Sequence, residues 1–163
     1  MRRPRAFFAD MPRDNIWNPL VFLLITQAGA TLGGGLLGGV SPGPAAVALL
    51  QSLVQQLVVA GLLWASARLV MKSPLTLAQG LGIVAYGGFP WLLAFLAPNL
   101  PPPAGAILLA LVVLVHLYLM LVGLQAAGGL WVPLAAACII MAVVGLFLLV
   151  TLAGMIALPG PQP

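Results

Sequence analysis

The chain has 163 residues, of which 63% are hydrophobic and 5% charged, where an ordinary soluble domain carries about 25% charged residues. From Ser73 to Pro163 there is no Asp, Glu, Lys or Arg, so more than half of the chain has no ionised surface to offer water, and lipid must be its main solvent. The formal net charge of +4 would suggest nucleic acid in a soluble protein, but here the basic residues flank apolar stretches and report topology, so no nucleic-acid partner is expected.

Residues 1–17 read as a cytoplasmic interfacial segment. Phe7, Phe8, Met11 and Trp17 alternate with Arg2, Arg3, Arg5 and Arg13 and with two aspartates. Such a segment buries aromatic rings at headgroup depth while its arginines meet lipid phosphates. The apolar run Leu20 to Ile25 followed by Ala28-Gly29-Ala30 resembles a signal-peptide cleavage region. The basic region is long, however, and the apolar stretch continues past that site, so the first helix is expected to be retained.

Residues 18–158 form five apolar blocks separated by short turns rich in proline, glycine and asparagine. A spanning helix needs about 20 residues at about 1.5 Å rise each, which predicts spans at Pro19 to Gly39, Pro44 to Val70, Leu75 to Ala97, Pro103 to Ala126 and Pro133 to Leu158. A proline punctuates each start, at Pro19, Pro44, Pro74, Pro103 and Pro133, as suits a first helical position whose N–H has no partner. Asn18 and Ser73 are the expected N-caps. The fold class is thus an all-α integral membrane protein, a compact bundle of five transmembrane helices with short loops.

Orientation follows from charge. Arg68 and Lys72 close the second span on the side that holds the N-terminal arginines, and the positive-inside rule makes that side cytoplasmic. Ser41 to Gly43 and Asn99 to Pro102 are then external loops, and Arg68 to Ser73 and Ala127 to Val132 are cytoplasmic. The C-terminal residues 159–163 form an external tail.

Each of the five spans carries one distinctive intramembrane feature. In the first span Gly29, Gly33, Gly34, Gly35, Gly38 and Gly39 form overlapping G-x-x-x-G pairs that allow close backbone approach, within the bundle or to another chain. In the second span Gln51 and Gln55 lie at i and i+4, flanked by Ser52 and Gln56. Gln27 of the first span is their expected partner, as structural glue or along a solute path. In the third span Pro90 removes a helix hydrogen bond, so a kink is expected near Tyr86, eased by Gly87 and Gly88. In the fourth span His116 is read as a hydrogen-bonded packing residue, because no second ligand or intramembrane carboxylate accompanies it. Cys138 lies alone in the fifth span, which excludes an intramolecular disulfide and a cysteine-cluster metal site.

No serine–histidine–acid set, carboxylate pair, phosphate-binding glycine loop or metal-ligand cluster can be assembled, so no catalytic residue, cofactor or metal is expected. Three roles are left. The first is a non-enzymatic accessory subunit or organiser that packs against other membrane subunits or its own copies. The second is a small channel, transporter or lipid-handling protein. The third is recognition of anionic lipid by the N-terminal arginines.

The pattern resembles the Yip-domain membrane proteins. The resemblance covers nearly the whole chain and lies in Pro4-Arg5-Ala6-Phe7-Phe8 through Met11-Pro12, in Asn18-Pro19-Leu20, in Tyr86 four residues before Pro90, and in Leu117-Tyr118-Leu119 followed by Gly123-Leu124. It implies five spans, a cytoplasmic N-terminus and an external C-terminus. Eukaryotic members are linked to Rab GTPases and early secretory vesicles. The short segment before the first span departs from their long cytosolic N-terminal region, which points to a compact bacterial member in the cytoplasmic membrane.

Overall fold

The computed structural model describes residues 3–38 and 41–157. Every regular element among them is helical. In chain order these are α1 (Pro4–Ala9), α2 (Trp17–Gly38), α3 (Pro42–Ala65) ending in a π-helical turn (Ser66–Val70), α4 (Leu77–Gly87), a 3-10 helix (Phe89–Asn99), α5 (Pro102–Gly128) and α6 (Val132–Ala157). Among the described residues, four stretches are long and apolar enough to cross a membrane: Pro42–Val70, Leu77–Asn99, Pro102–Gly128 and Val132–Thr151. The first expected span corresponds to α2, which has 22 residues. Gly39, Leu158 and the tail 159–163 lie outside the described residues.

The starts of the helices depart from the proline reading in instructive ways. Asn15, not Asn18, serves α2, its side-chain oxygen accepting from the N–H groups of Trp17 and Asn18 at 3.0 and 3.2 Å. Pro42 rather than Pro44 opens α3 after Ser41. The largest correction is at Pro74, which starts no helix. Thr76 caps α4 instead, in a reciprocal capping box with Gln79, a pairing that satisfies two otherwise orphan N–H groups. Ser73 is buried and serves another purpose, donating to the Gly128 carbonyl at 2.5 Å and accepting from the Leu75 N–H at 3.3 Å.

These bonds gather one end of the bundle. Thr76 Oγ1 donates to the Arg13 carbonyl at 2.8 Å, tying the N-terminal segment to the α3–α4 connection. Ser73 ties that connection to the α5–α6 turn, where Gly129 adopts φ +64 and closes α5. Glycine reaches this left-handed conformation without the steric cost of a side chain. Lys72 takes φ 54 at the chain reversal after the π-helical turn, and Arg68 donates to the Ser73 carbonyl at 3.3 Å. Trp17 and Trp131, which open α2 and near α6 at this end, are both exposed, as rings at a membrane interface are. The N-terminal segment does more than lie at the surface: Phe8 and Met11 are buried, and α1 packs against α5.

The core runs through α4, whose residues are buried almost throughout, and α2, α3 and α5 surround it. Close approach is bought by small residues: a Cβ on Gly123 would stand 2.8 Å from Ile83 Cγ1, and one on Gly105 would stand 2.5 Å from the Ala97 carbonyl oxygen. The second neighbour is backbone and cannot rotate away. Gly105→Ala is therefore expected to destabilise the bundle by about 1–3 kcal/mol, the usual range for overpacking. Gly61→Ala, whose Cβ meets nothing within 4 Å, should leave stability equal or raise it by up to about 1 kcal/mol through helix propensity. Thermal unfolding in mild detergent compares the two.

Candidate functional site: a polar cleft beside a broken helix

The break in the third apolar stretch lies at Gly88, two residues past the expected kink at Tyr86. Pro90 has no N–H, so the helix cannot continue its regular bonding. The chain tightens instead, Trp91 N–H donating to the Gly88 carbonyl at 3.0 Å. In a continuing α-helix that N–H would have served Gly87. The Gly87 carbonyl is thereby released, and His116 Nδ1 lies 2.8 Å from it. A carbonyl oxygen only accepts, so Nδ1 carries the hydrogen and donates. Gly87 also lets α5 close in, since a Cβ there would already meet Met120 Cγ at 3.4 Å and His116 Nδ1 at 3.9 Å.

Trp91, the residue after the proline, stands edge-on to His116 with ring centroids 6.1 Å apart and planes at 71°. It also lines a cleft of about 490 Å³ between α2, α3 and the 3-10 helix, shared with Gln27, Ala30, Ser52, Gln55, Gln56 and Ala94. Ser52 Oγ donates to Gln27 Oε1 at 2.5 Å. Gln27 is buried and Gln55 exposed, with Ser52 and Gln56 between the two. The amides of Gln55 and Gln56 reach no hydrogen-bond partner among the described residues.

The expected polar set is thus only partly assembled. Gln27 and Gln55 do share the cleft, but the bonded partner of Gln27 is Ser52. Gln51 is exposed on α3 and is not among the lining residues. Gln56 and Ser52, which flank the expected pair in sequence, belong to the site, and Trp91 joins them from the third apolar stretch. Its position directly after Pro90 was the available signal, because a helix break turns the next side chain away from the regular helical face.

Gly29 faces the 3-10 helix, where a Cβ would meet Leu92 Cδ2 at 3.4 Å. Gly33, Gly34, Gly35 and Gly38 continue α2. Tyr86 sits in an aromatic cluster, 5.1 Å from the Phe7 ring and 4.7 Å from that of Phe22. Arg3, Arg5 and Arg13 are exposed, and Arg2 lies outside the described residues. Cys138 is buried and unpaired with any other cysteine.

Long apolar helices, a polar cleft set within them and exterior faces rich in leucine and valine define a multi-pass integral membrane protein. The family model for the Yip1 domain matches residues 1–154, and the chain belongs to that family. No curated protein and no solved structure matches it.

The His116–Gly87 bond carries a stability prediction. His116→Leu leaves the released carbonyl without a donor and should cost about 1–3 kcal/mol, the range for an unsatisfied buried group. His116→Gln, which retains a donor, should recover part of the loss. Both are read by thermal unfolding of the detergent-solubilised protein.

Proposed function

We propose that the chain is a non-enzymatic five-span protein of the bacterial cytoplasmic membrane. Its N-terminus is cytoplasmic, its C-terminus external, and it works as an accessory subunit or organiser by packing against other membrane subunits or a second copy of itself. α2 supplies the fifth span in this reading. The orientation rests on Arg13, Arg68 and Lys72 falling at the same end of the bundle as the α5–α6 turn.

One observation carries the packing role. The α3 stretch Pro42–Val70 has only 11% of its most apolar part buried, against 59% for Leu77–Asn99, and Gln51, on its first half and outside the cleft, is exposed. A carboxamide facing hydrocarbon lacks partners, and a neighbouring polar helix provides them at about 0.6 kcal/mol per bond on average. So small an increment sets which helix docks and in what register more than how tightly it binds.

The cleft favours a second reading, a small channel, transporter or lipid-handling protein, because half-helices broken at mid-span line binding sites in transporters. Solute or lipid flux into reconstituted vesicles, compared with empty vesicles, discriminates between the two.

Crosslinking in native membranes followed by purification in mild detergent tests the packing role. A stoichiometric partner or a dimer is expected, weakened in Gln51→Leu. A strictly monomeric, partnerless protein would overturn it. For topology, a reporter enzyme that is active only outside the cytoplasm should be active when fused after residue 163 and inactive when fused ahead of residue 1.

A further inference from the structure

We infer that the cleft between α2, α3 and the 3-10 helix is a binding site for the head of an uncharged, membrane-dissolved lipid, one that presents hydroxyl or carbonyl oxygens and no phosphate. This inference rests on the spanning reading of α2 and α3 given above, and it is independent of whether Gln51 docks a partner.

Depth is the first argument. Gln27 lies midway along α2, Ser52, Gln55 and Gln56 near the middle of Pro42–Val70, and Trp91 close to the middle of Leu77–Asn99. The cleft therefore sits near the bilayer centre. On the turns around it α2 exposes Ile25, α3 exposes Val54 and the 3-10 helix exposes Leu93, so the surface next to it is of the kind that faces acyl chains. A ligand entering from the side must already be dissolved in the hydrocarbon. A charged phospholipid head is excluded at that depth by the cost of desolvating it.

Chemistry is the second. The lining holds three carboxamides, one hydroxyl and one indole, and no ionisable side chain. Nothing there compensates a charge, whereas N–H donors are plentiful. Ser52 occupies the Gln27 oxygen, which leaves the Gln27 NH2 to donate, and Gln55 and Gln56 add both donors and acceptors. Ala30 and Ala94 keep the walls low, and Trp91 provides a flat apolar face. At about 490 Å³ the cleft falls within the range of small-molecule sites. Hydroxyl heads, as in a diacylglycerol, and carbonyl heads, as in a quinone, both meet this description.

The third argument is how Trp91 is held. The proline break places it, and His116, anchored on the Gly87 carbonyl, backs its ring from the α5 side. The aromatic wall of the cleft is thus fixed by a backbone-directed bond, and lipid contact alone does not set it.

Fluorescence of Trp91 tests the inference. A full-length variant with Trp17, Trp64 and Trp131 changed to Phe is reconstituted into phosphatidylcholine vesicles. The vesicles carry brominated diacylglycerol, ubiquinone, or phosphatidylcholine brominated to the same content. Saturable quenching at low mole fraction by one or both neutral lipids, well above that by brominated phosphatidylcholine, is expected. Quenching by the first alone assigns a hydroxyl head, and by the second alone a carbonyl head. Gln27→Leu and Gln56→Leu should each weaken the excess about threefold, the effect of one such hydrogen bond. Equal quenching by all three lipids, or an excess unchanged in the Gln variants, would overturn the site. Bromines at graded chain depths locate Trp91: a shallow position overturns the spanning reading as well, whereas a deep position with no excess overturns the lipid site alone. If the triple substitution prevents folding, the unmodified chain is crosslinked with a photoactivatable diacylglycerol and with a photoactivatable quinone. Labelling by either probe of the peptides holding residues 27–30, 52–56 and 91–94 supports the site, and labelling spread evenly over the exterior helices by both overturns it.

Discussion

The bond from His116 to the Gly87 carbonyl is the interaction on which the middle of the bundle depends. In hydrocarbon every backbone polar group must find a partner inside the protein, because no water is at hand. A proline within a span breaks that rule locally, and the break at Pro90 is tolerated because a side chain from the adjoining helix restores it. Once His116 is in place, the 3-10 helix can run beside α5, Trp91 can face the cleft, and Gly87 can admit the close contact that the bond requires. The lone histidine, which as a ligand or proton carrier would be incomplete, is complete as a surrogate backbone donor.

The same logic explains the 3-10 helix itself. Such helices are usually short because their hydrogen bonds are less well aligned, yet this one runs for 11 residues. Pro90 at its start and Pro98 near its end remove donors from the regular ladder, and packing along α5 and α2 holds the remainder. The result is a third apolar stretch that is most buried among the four candidate spans and also the least regular. Irregular backbone is found at membrane depth where protein covers it, and that is its position here.

Much of the architecture was legible in the sequence because its signals are long and redundant. Apolar blocks of about 20 residues, bounded by prolines and turns, located the four helical stretches that are long and apolar enough to cross a membrane, and the Yip-like residues spread from Pro4 to Leu124 identified the family. What was not legible was local and polar. Ser73 and Thr76 both precede candidate helix starts, and only the fold decides which caps α4: Ser73 is drawn away by the Gly128 carbonyl, a partner 55 residues distant. Likewise Asn15 displaces Asn18 because the helix begins earlier than its proline. In the cleft, Gln27 bonds Ser52 in place of Gln55 because the crossing of α2 and α3 determines which of four successive polar positions comes within reach, and a spacing of i and i+4 carries no information about that crossing. Trp91 is, in the sequence, one aromatic residue among apolar neighbours, and only the helix break redirects it into the cleft.

The bond between Thr76 and the Arg13 carbonyl, which joins residues 63 positions apart, bears on how the chain assembles as it is made. The first 13 residues leave the ribosome long before their partner exists, and α1 has its packing surface on α5, which emerges later still. The N-terminal segment therefore has no docking surface until those later residues are made. It can seat only after Thr76 has turned back toward it and α5 has entered. Its docking thus depends on two elements made later than itself, the α3–α4 connection and α5, and both must lie at the same end of the bundle for it to seat.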